Sequence, residues 1–573
     1  MSTFSKPSQF SGGDEETIFH TTYKSKKVSY PPWYSPETGV YQSKYPPVPL
    51  PSDPFLDVVS FIFSHKHDGL TALVDSSSGF SLSYSKILPL VKSIASGLHQ
   101  MGVSQGDVVL ISVPNSIHFP IIFLGVLAVG AIATAINPLS SLSEIKKQVL
   151  DCKPSFGFCS PERVGEFSPL GFPVIGVPST EFLMSESQHY KDSDFLKLIS
   201  SDPNSAPRPK INQQDAAAIL YSSGTTGSCK GTVLTHGNFI ASVVQFVRFE
   251  ASTYAESPST NVYLASLPMF HVYGLALFVM GLLSLGTRIV VMRKFDADEM
   301  IRAIDKYGVT HFPTVPPIVL KLTKMAKEAP SGGSFKSLRQ ISCGAAPVTG
   351  KSIEDFVQTF PHVDFIQGYG MTETTAVGTR GYNTEKFRNY GSIGLLAPSV
   401  QAKVVNWTTG SVLPPGKTGE LWIRSAGNMK GYLNNEEATK SAIDKDGWLR
   451  TGDIAFFDKD GYVYVVDRLK EIIKFKGFQI APADLESVLV SHPQIVDAAV
   501  TGARDEEAGE IPVAFVVRKE GSGLSEAAVI DFVSKQVAPY KKVRKVYFIR
   551  SVPRSPAGKI LRRELRTLLI SKV

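Results

Sequence analysis

This sequence predicts an α/β protein with a large N-terminal domain of several subdomains and a small α+β domain at its C-terminal end. Three observations predict it. A chain of 573 residues is too long for one compact core, so at least two domains are expected, one of them large. Helical segments alternate with short apolar strands through most of the length, the pattern of α/β layers. From Ala483 on the units become short, enough together for a separate domain of about a hundred residues.

The elements follow in order. Residues 1–52 are rich in Ser, Tyr and Pro and read as an extended arm lying on the main domain. Residues 53–469 form the large domain and 470–573 the small one. Ile87, Val91, Ile94 and Leu98 share one helical face, with Pro89 near the front starting or kinking that helix. Gly106-Asp107 turns the chain into the apolar strand Val108 to Val113. Phe119 to Ile136 carries no charge, which raises the question of a membrane span. It lacks Lys/Arg or Trp/Tyr anchors and breaks into Gly, Ala and Thr before Asn137-Pro138, so it reads as a buried helix running into a buried strand. Residues 201–214 form a polar connector before the strand Ala216 to Tyr221. In the small domain the pattern gives a helix through Leu485, Val488 and Leu489, strands Asp497 to Val500 and Val513 to Val517, a helix Ser525 to Val537 and a strand Val546 to Ile549.

Composition narrows the function. Hydrophobic residues make up 43% and charged residues 19%, which excludes general disorder. A formal charge of +7 is modest for this length; it suits anionic ligands and gives no basis for nucleic-acid binding. Cys152, Cys159, Cys229 and Cys343 have no CxxC or Cys/His spacing, so no zinc site is expected, and so few cysteines fit a reducing compartment. The N-terminus has no apolar core and contains Asp14, Glu15 and Glu16, against a secretory signal and an organellar transit peptide.

The first chemical motif follows the strand at Tyr221. Tyr221 to Gly231 reads YSSGTTGSCKG, hydroxyls and glycines around Lys230. Glycines let backbone close around phosphate oxygens, Ser222, Ser223, Thr225 and Thr226 donate to them, and Lys230 adds charge. Walker spacing fails, because Lys230 follows Cys229 rather than Gly.

This segment resembles the phosphate loop of the adenylate-forming superfamily, which contains acyl-CoA synthetases, luciferases and peptide-synthetase adenylation domains. A Pro usually precedes the Lys there; Cys229 stands in its place. Six further blocks resemble the family's in its order: LPMFHVYGL (Leu267 to Leu275), GAAP (Gly344 to Pro347), QGYGMTET (Gln367 to Thr374), TGD (Thr451 to Asp453), VDRLKEIIKFKGFQIAP (Val466 to Pro482) and PRSPAGKILRR (Pro553 to Arg563). The resemblance spans nearly the whole chain and implies an ATP-dependent carboxylic acid–CoA ligase working through an acyl-AMP, with a mobile small domain.

The resemblance also implies roles. Thr225, Thr226 and Lys230 hold the outer phosphates of ATP, with Ser222, Ser223, Gly224 and Gly227 among the ATP-binding residues; Glu373 holds Mg²⁺ and Thr372 touches the α-phosphate. Ala345, Gln367, Gly368 and Tyr369 serve adenine, and Asp453 and Arg468 take the ribose hydroxyls. Lys559 bridges the carboxylate and the α-phosphate, and His271 closes over the acyl site. Tyr273, Leu277, Gly344, Thr374, Thr375, Ala376 and Val377 line the acyl pocket. Rotation about Lys470 brings Lys474, Lys476, Gly477 and Gln479 to the thioester site, where coenzyme A attacks. Charge accumulating on phosphoryl oxygens explains the need for fixed cations and donors. Taken singly, each residue has a plainer explanation: Tyr369 as a core aromatic, Glu373 or Asp453 as a surface carboxylate, Lys559 as one charge of a basic tail, Lys470 and Lys474 as one helical face.

Within the superfamily the sequence is most similar to plant 4-coumarate–CoA ligases and their ligase-like relatives. Two departures point away from a hydroxycinnamate substrate. The true ligases carry a GEICIRG block where Gly419 to Ser425 reads GELWIRS, and Ala-Gly-Pro-Val where Thr374 to Val377 stand. Thr375 adds bulk and a hydroxyl to the pocket wall, while Ala276 and Leu277 make the tunnel more apolar. An aliphatic chain or a jasmonate-precursor-type cyclopentanone acid fits that at least as well as a phenolic ring. Ser571-Lys572-Val573 resembles the peroxisomal SKL tripeptide, so a peroxisomal import receptor is an expected partner and the cytoplasm the alternative location. The rivals are an adenylation enzyme serving a non-CoA acceptor, a true 4-coumarate–CoA ligase, and a catalytically dead scaffold lacking Lys559, Glu373 or Asp453, all of which are present.

Overall fold

The computed structural model describes residues 30–179, 193–222, 230–253, 257–328, 335–346, 348–381, 383, 388–475, 478–505, 508–537, 539–555 and 558–570. Their strands form four sheets. The seven-stranded sheet is parallel towards one edge, where Ile132–Ala135, Val108–Ser112, Phe156–Cys159 and the edge strand Val174–Gly176 lie side by side. The nine-stranded sheet is parallel from Asp364–Tyr369 through Gln340–Cys343, His311–Thr314, Val262–Ala265 and Arg288–Val291 to Thr71–Asp75. One continuous apolar core joins them.

Helix Tyr84–Gln100 buries Ile87, Val91, Ile94 and Leu98 against His118–Ala128, which is apolar almost all round and buried from His118 to Leu127. Gly125 permits the close approach, since a β-carbon there would overlap Ile94. Pro89 neither starts nor ends the first helix. It sits on the exposed face in the second turn, where the carbonyl it cannot bond is that of exposed Ser85. The uncharged run from Phe119 is that buried helix followed by the strand Ile132–Ala135. Among the described residues no helix is long and apolar enough to cross a membrane.

A six-stranded antiparallel sheet carries part of the site. Its first edge is the hairpin Tyr34–Ser35 and Val40–Gln42, which pairs with Gln401–Val405. Tyr41 is fully buried there and stacks on Phe457 at 4.1 Å. Its other edge is Leu449–Phe457 against Val463–Arg468, whose register sets Asp453 opposite Arg468. The last sheet contains Ile473–Phe475, Phe478–Ile480, Ile495–Asp505, Gly509–Arg518 and Lys545–Phe548, covered by helices Pro482–Val490, Glu526–Ser534 and Arg562–Ile570 around a core of their own.

Gly394 ties the second and third sheets together. It bridges Val463 and adopts φ of 97°, and a β-carbon there would overlap the backbone carbonyl of Arg380. Gly394→Ala is therefore expected to cost about 2–5 kcal/mol in denaturant unfolding. Gly391→Ala, three residues earlier in open space, should change stability by less than about 0.5 kcal/mol. Equal effects would contradict this packing.

Candidate active site

Strand ends and turns from separate sheets converge on one cleft. Tyr369 ends the strand Asp364–Tyr369, and its hydroxyl donates to Asp453 Oδ2 at 2.7 Å. The guanidinium of Arg468 meets Asp453 Oδ1 at 3.0 Å. The carboxylate of Asp453 is thus held on both oxygens by an aromatic hydroxyl and a cation, in a buried position. Burial and that carboxylate push the Tyr369 hydroxyl well above its ordinary range, so Tyr369 remains a neutral donor. Glu373 lies in the 3₁₀ turn Thr372–Thr374, buried, and accepts from the Tyr432 hydroxyl at 3.0 Å.

Lys559 reaches this cleft from the last sheet's side. Its turn is closed by the bond from Ser555 N to the Lys559 carbonyl, and Gly558, at φ of 79°, lies against Pro317 and Val315 at the start of helix Pro316–Glu328. Burial and the positive charge of Arg468 lower its ammonium pKa to about 8, partly offset by Asp453 and Glu373. Lys470 is lowered by burial, by Lys230 and by Arg468. Lys230 stands over the Tyr432 ring at 4.8 Å. Lys230, Arg468, Lys470 and Lys559 therefore share one electrostatic neighbourhood in which, among the described residues, Asp453, Glu373 and Glu471 balance them in part. Such a cleft favours a polyanion.

On the other wall His271 caps the short helix Val272–Gly274 and accepts from Tyr273 N through Nδ1 at 3.4 Å. Burial and nearby Lys559 lower its pKa to about 4, leaving a neutral imidazole. Tyr273 donates to the Ser342 carbonyl at 3.5 Å, and its ring fills the space beside Gly344, where a β-carbon would sit 3.3 Å from Cε1. Leu277 is buried in the π-helical turn Leu275–Gly281, which packs on a second π-helical turn, Val243–Arg248. Such turns concentrate at functional sites.

Ala345, Thr375 and Ala376 all adopt left-handed backbone, with φ of 67°, 51° and 64°. For β-branched Thr375 this is costly, on the order of 1–3 kcal/mol, and persists where neighbours fix it. Here Ser242 Oγ donates to the Thr375 carbonyl at 2.8 Å, and Thr375 Oγ1 donates to the Gly427 carbonyl at 2.7 Å. The hydroxyl expected on the pocket wall is thus satisfied by backbone. Thr374 and Val377 are fully buried beside it. Gln367 donates to the Tyr390 carbonyl at 2.7 Å, and Gly368 lies opposite Arg380.

Three expectations fall elsewhere. The loop from Ser223 to Cys229, with Gly224, Thr225, Thr226 and Gly227, lies outside the described residues; Ser222 ends its strand opposite Lys230. Lys476 and Gly477 also lie outside them, between strands that pair Lys474 with Gln479. Lys474 is exposed, on a different sheet from the Asp453–Arg468 pair. Sequence reasoning missed Tyr432, which touches both Lys230 and Glu373. Its partner Glu373 is 59 positions away, and no local pattern marks the pair.

The electrostatics are testable directly. With Lys559 methylated by labelled formaldehyde, its resonance should titrate near pH 8, and Arg468→Gln should move that midpoint upward, because the removed cation disfavours the ammonium. A midpoint above about 10, the ordinary lysine range, would contradict burial of Lys559 in this cleft.

Comparison with known proteins agrees with this geometry. Residues 63–433 match the family model of the AMP-binding enzymes, and residues 484–559 that of the AMP-binding enzyme C-terminal domain. The chain is 58% identical over 544 residues to 4-coumarate–CoA ligase-like 6 of Arabidopsis thaliana, covering 95% of this chain and 96% of that one. It is 42% identical to the peroxisomal OPC-8:0-CoA ligase 1 of the same plant, covering 92% and 96%. Among solved structures it resembles ATP-bound MatB from Rhodopseudomonas palustris, with a TM-score of 0.80, 25% identity and coverage of 89% and 98%. With both parts of the chain matched, and with a relative this similar over nearly its full length, the protein belongs to the AMP-binding, adenylate-forming enzyme family.

Proposed function

We propose that the cleft activates an aliphatic or cyclopentanone carboxylic acid as its acyl-AMP, and that the small domain then turns to admit coenzyme A. The enzyme is an AMP-forming acid–thiol ligase. One observation carries the division of roles: Lys559 is half-buried within the field of Arg468, Asp453 and Glu373.

The chemistry follows from these positions. The acid's carboxylate oxygen attacks the α-phosphorus of ATP, the bond to the β-phosphate oxygen breaks, and pyrophosphate leaves. Negative charge grows on the α-phosphoryl oxygens, where Lys559 and Thr372 neutralise it. Lys230, with the loop Ser222 to Gly227, holds the outer phosphates. Asp453 accepts the ribose hydroxyls with Arg468 beside it, and Tyr369, Gln367, Gly368 and Ala345 flank the adenine. Glu373, a buried carboxylate of the cleft, would hold Mg²⁺. An ion held there would supply charge to screen the phosphates. Neutral His271 and Tyr273 close the acyl side.

The second step requires Lys559 to leave. Lys470 is suited to be the hinge, since the bonds of its neighbours run partly to each side, although Glu471 N also bonds back to the Arg468 carbonyl at 2.9 Å. Leu469 N bonds back to Gly452, whereas the Glu471 carboxylate pairs with Arg566 on the last helix at 3.2 Å. Rotation there carries residues 470–573 and brings Lys474, Lys476, Gly477 and Gln479 to the adenylate. Peroxisomal residence, through an import receptor reading Ser571-Lys572-Val573, is proposed with support from the relative named as peroxisomal; the tripeptide lies outside the described residues.

With an accepted acid, CoA and Mg²⁺, ATP should yield AMP and pyrophosphate; ADP as the product would refute the mechanism. Lys559→Ala should lower adenylate formation by about 10²–10³-fold while sparing thioesterification of supplied acyl-AMP. Lys474→Ala should do the reverse, and equal loss of both half-reactions in both variants would contradict rotation.

A further inference from the structure

Two groups of opposite charge in this cleft, Lys230 and Glu373, reach the same side chain. Tyr432 donates its hydroxyl to Glu373 Oε1 at 3.0 Å, and the Lys230 ammonium stands over the Tyr432 ring, 4.8 Å from its centroid. Sheet register dictates the second contact. Strand Gly431–Tyr432 pairs antiparallel with Lys230–Thr235, Tyr432 lies directly opposite Thr232, and Lys230, two residues along, is the diagonal neighbour on that face. The first contact depends on the segment before Tyr432, where Met429 N donates to the Glu373 carbonyl at 2.9 Å.

The ring is fixed from both sides. Tyr432 N donates to Thr439 Oγ1 at 2.8 Å, and Leu433 N to the Gly231 carbonyl at 2.7 Å. Asn434, at φ of 50°, donates through Nδ2 to Asp151 Oδ1 at 3.1 Å, while Asp151 Oδ2 accepts the Tyr221 hydroxyl at 2.9 Å. Tyr221 lies opposite Gly231 on the adjoining strand.

A lysine and a glutamate left to themselves in one cleft pair with each other, and that pair would neutralise both before a ligand arrives. Among the described residues no ion pair joins Lys230 to Glu373. A phenol is suited to keep them apart because its two parts attract opposite charges: the hydroxyl offers a donor to a carboxylate, and the ring face attracts a cation. The ring also holds an ammonium more weakly than a phosphate does, so Lys230 can leave it for the ligand.

Resting on the assignment of Lys230 to the outer phosphates, we propose that Tyr432 is a positioning residue that holds Lys230 and Glu373 apart. Lys230 thereby stays available to the outer phosphates and Glu373 to the cation that accompanies them.

The test is calorimetric binding of AMP and of a non-hydrolysable ATP analogue to the full chain in EDTA, without metal. Tyr432→Leu removes both contacts and should weaken the ATP analogue about ten-fold but AMP less than about two-fold, since AMP has no outer phosphates. In a Glu373→Gln background no carboxylate competes for Lys230, and Tyr432→Leu should there cost the ATP analogue less than about two-fold. Tyr432→Phe keeps the ring and should weaken the ATP analogue about three-fold, again only while Glu373 is present, which covers the case in which the Leu variant fails to fold. An undiminished loss in the Glu373→Gln background, or equal weakening of both nucleotides, would make Tyr432 a packing residue and overturn the proposal. Lys230→Met separates this from the assignment beneath it. If that variant weakens the ATP analogue no more than AMP, the assignment of Lys230 falls and the proposal with it; if it weakens the analogue selectively, the Tyr432 variants decide the proposal alone.

Discussion

The structure depends on holding more positive charge in one cleft than its own carboxylates can neutralise. Lys230, the Arg468–Lys470 pair and Lys559 come from three segments, and the partial burial of Lys559 lowers its pKa to about 8. An arrangement of that kind is unfavourable in the empty protein and becomes favourable when a polyphosphate enters. The site is therefore built for a ligand whose charge completes it, and the fold supplies the stability that the site itself does not.

Sheet register carries the positional precision. Asp453 and Arg468 are cross-strand partners, so one residue of slippage would turn one of them away from the cleft. That edge is anchored through Gly394, and the opposite edge is closed by the Tyr34–Gln42 hairpin with Tyr41 stacked on Phe457. The left-handed pair Thr375–Ala376 sits beside the third sheet, fixed by Ser242 and Gly427. Strain there is offset by two buried hydrogen bonds.

Much of this was legible in the sequence, for identifiable reasons. Period and apolar content located the buried helix from His118 and the short elements of the last sheet, because each is decided within a dozen residues. The seven blocks named Tyr369, Glu373, Asp453, Arg468 and Lys559, and the described structure brings these five together. Contacts between distant segments were not legible. The Tyr432–Glu373 bond spans 59 positions and the Arg380–Glu250 pair 130, and neither has a local pattern. Thr375 shows the intermediate case. Its substitution was visible, but that its hydroxyl would turn to the Gly427 carbonyl depended on a loop 52 residues away.

The most direct measurement of the central claim is the proton balance on nucleotide binding. A polyanion entering the cleft should raise the Lys559 pKa from about 8, so binding at pH 8 must take up protons. Titration calorimetry of a non-hydrolysable ATP analogue in buffers of different ionisation enthalpy reads this number. Uptake of about half a proton per site is predicted for wild type, falling towards zero in Lys559→Met. Nucleotide binding with no proton uptake in the wild type would contradict the claim that Lys559 waits, partly deprotonated, for the charge that completes it.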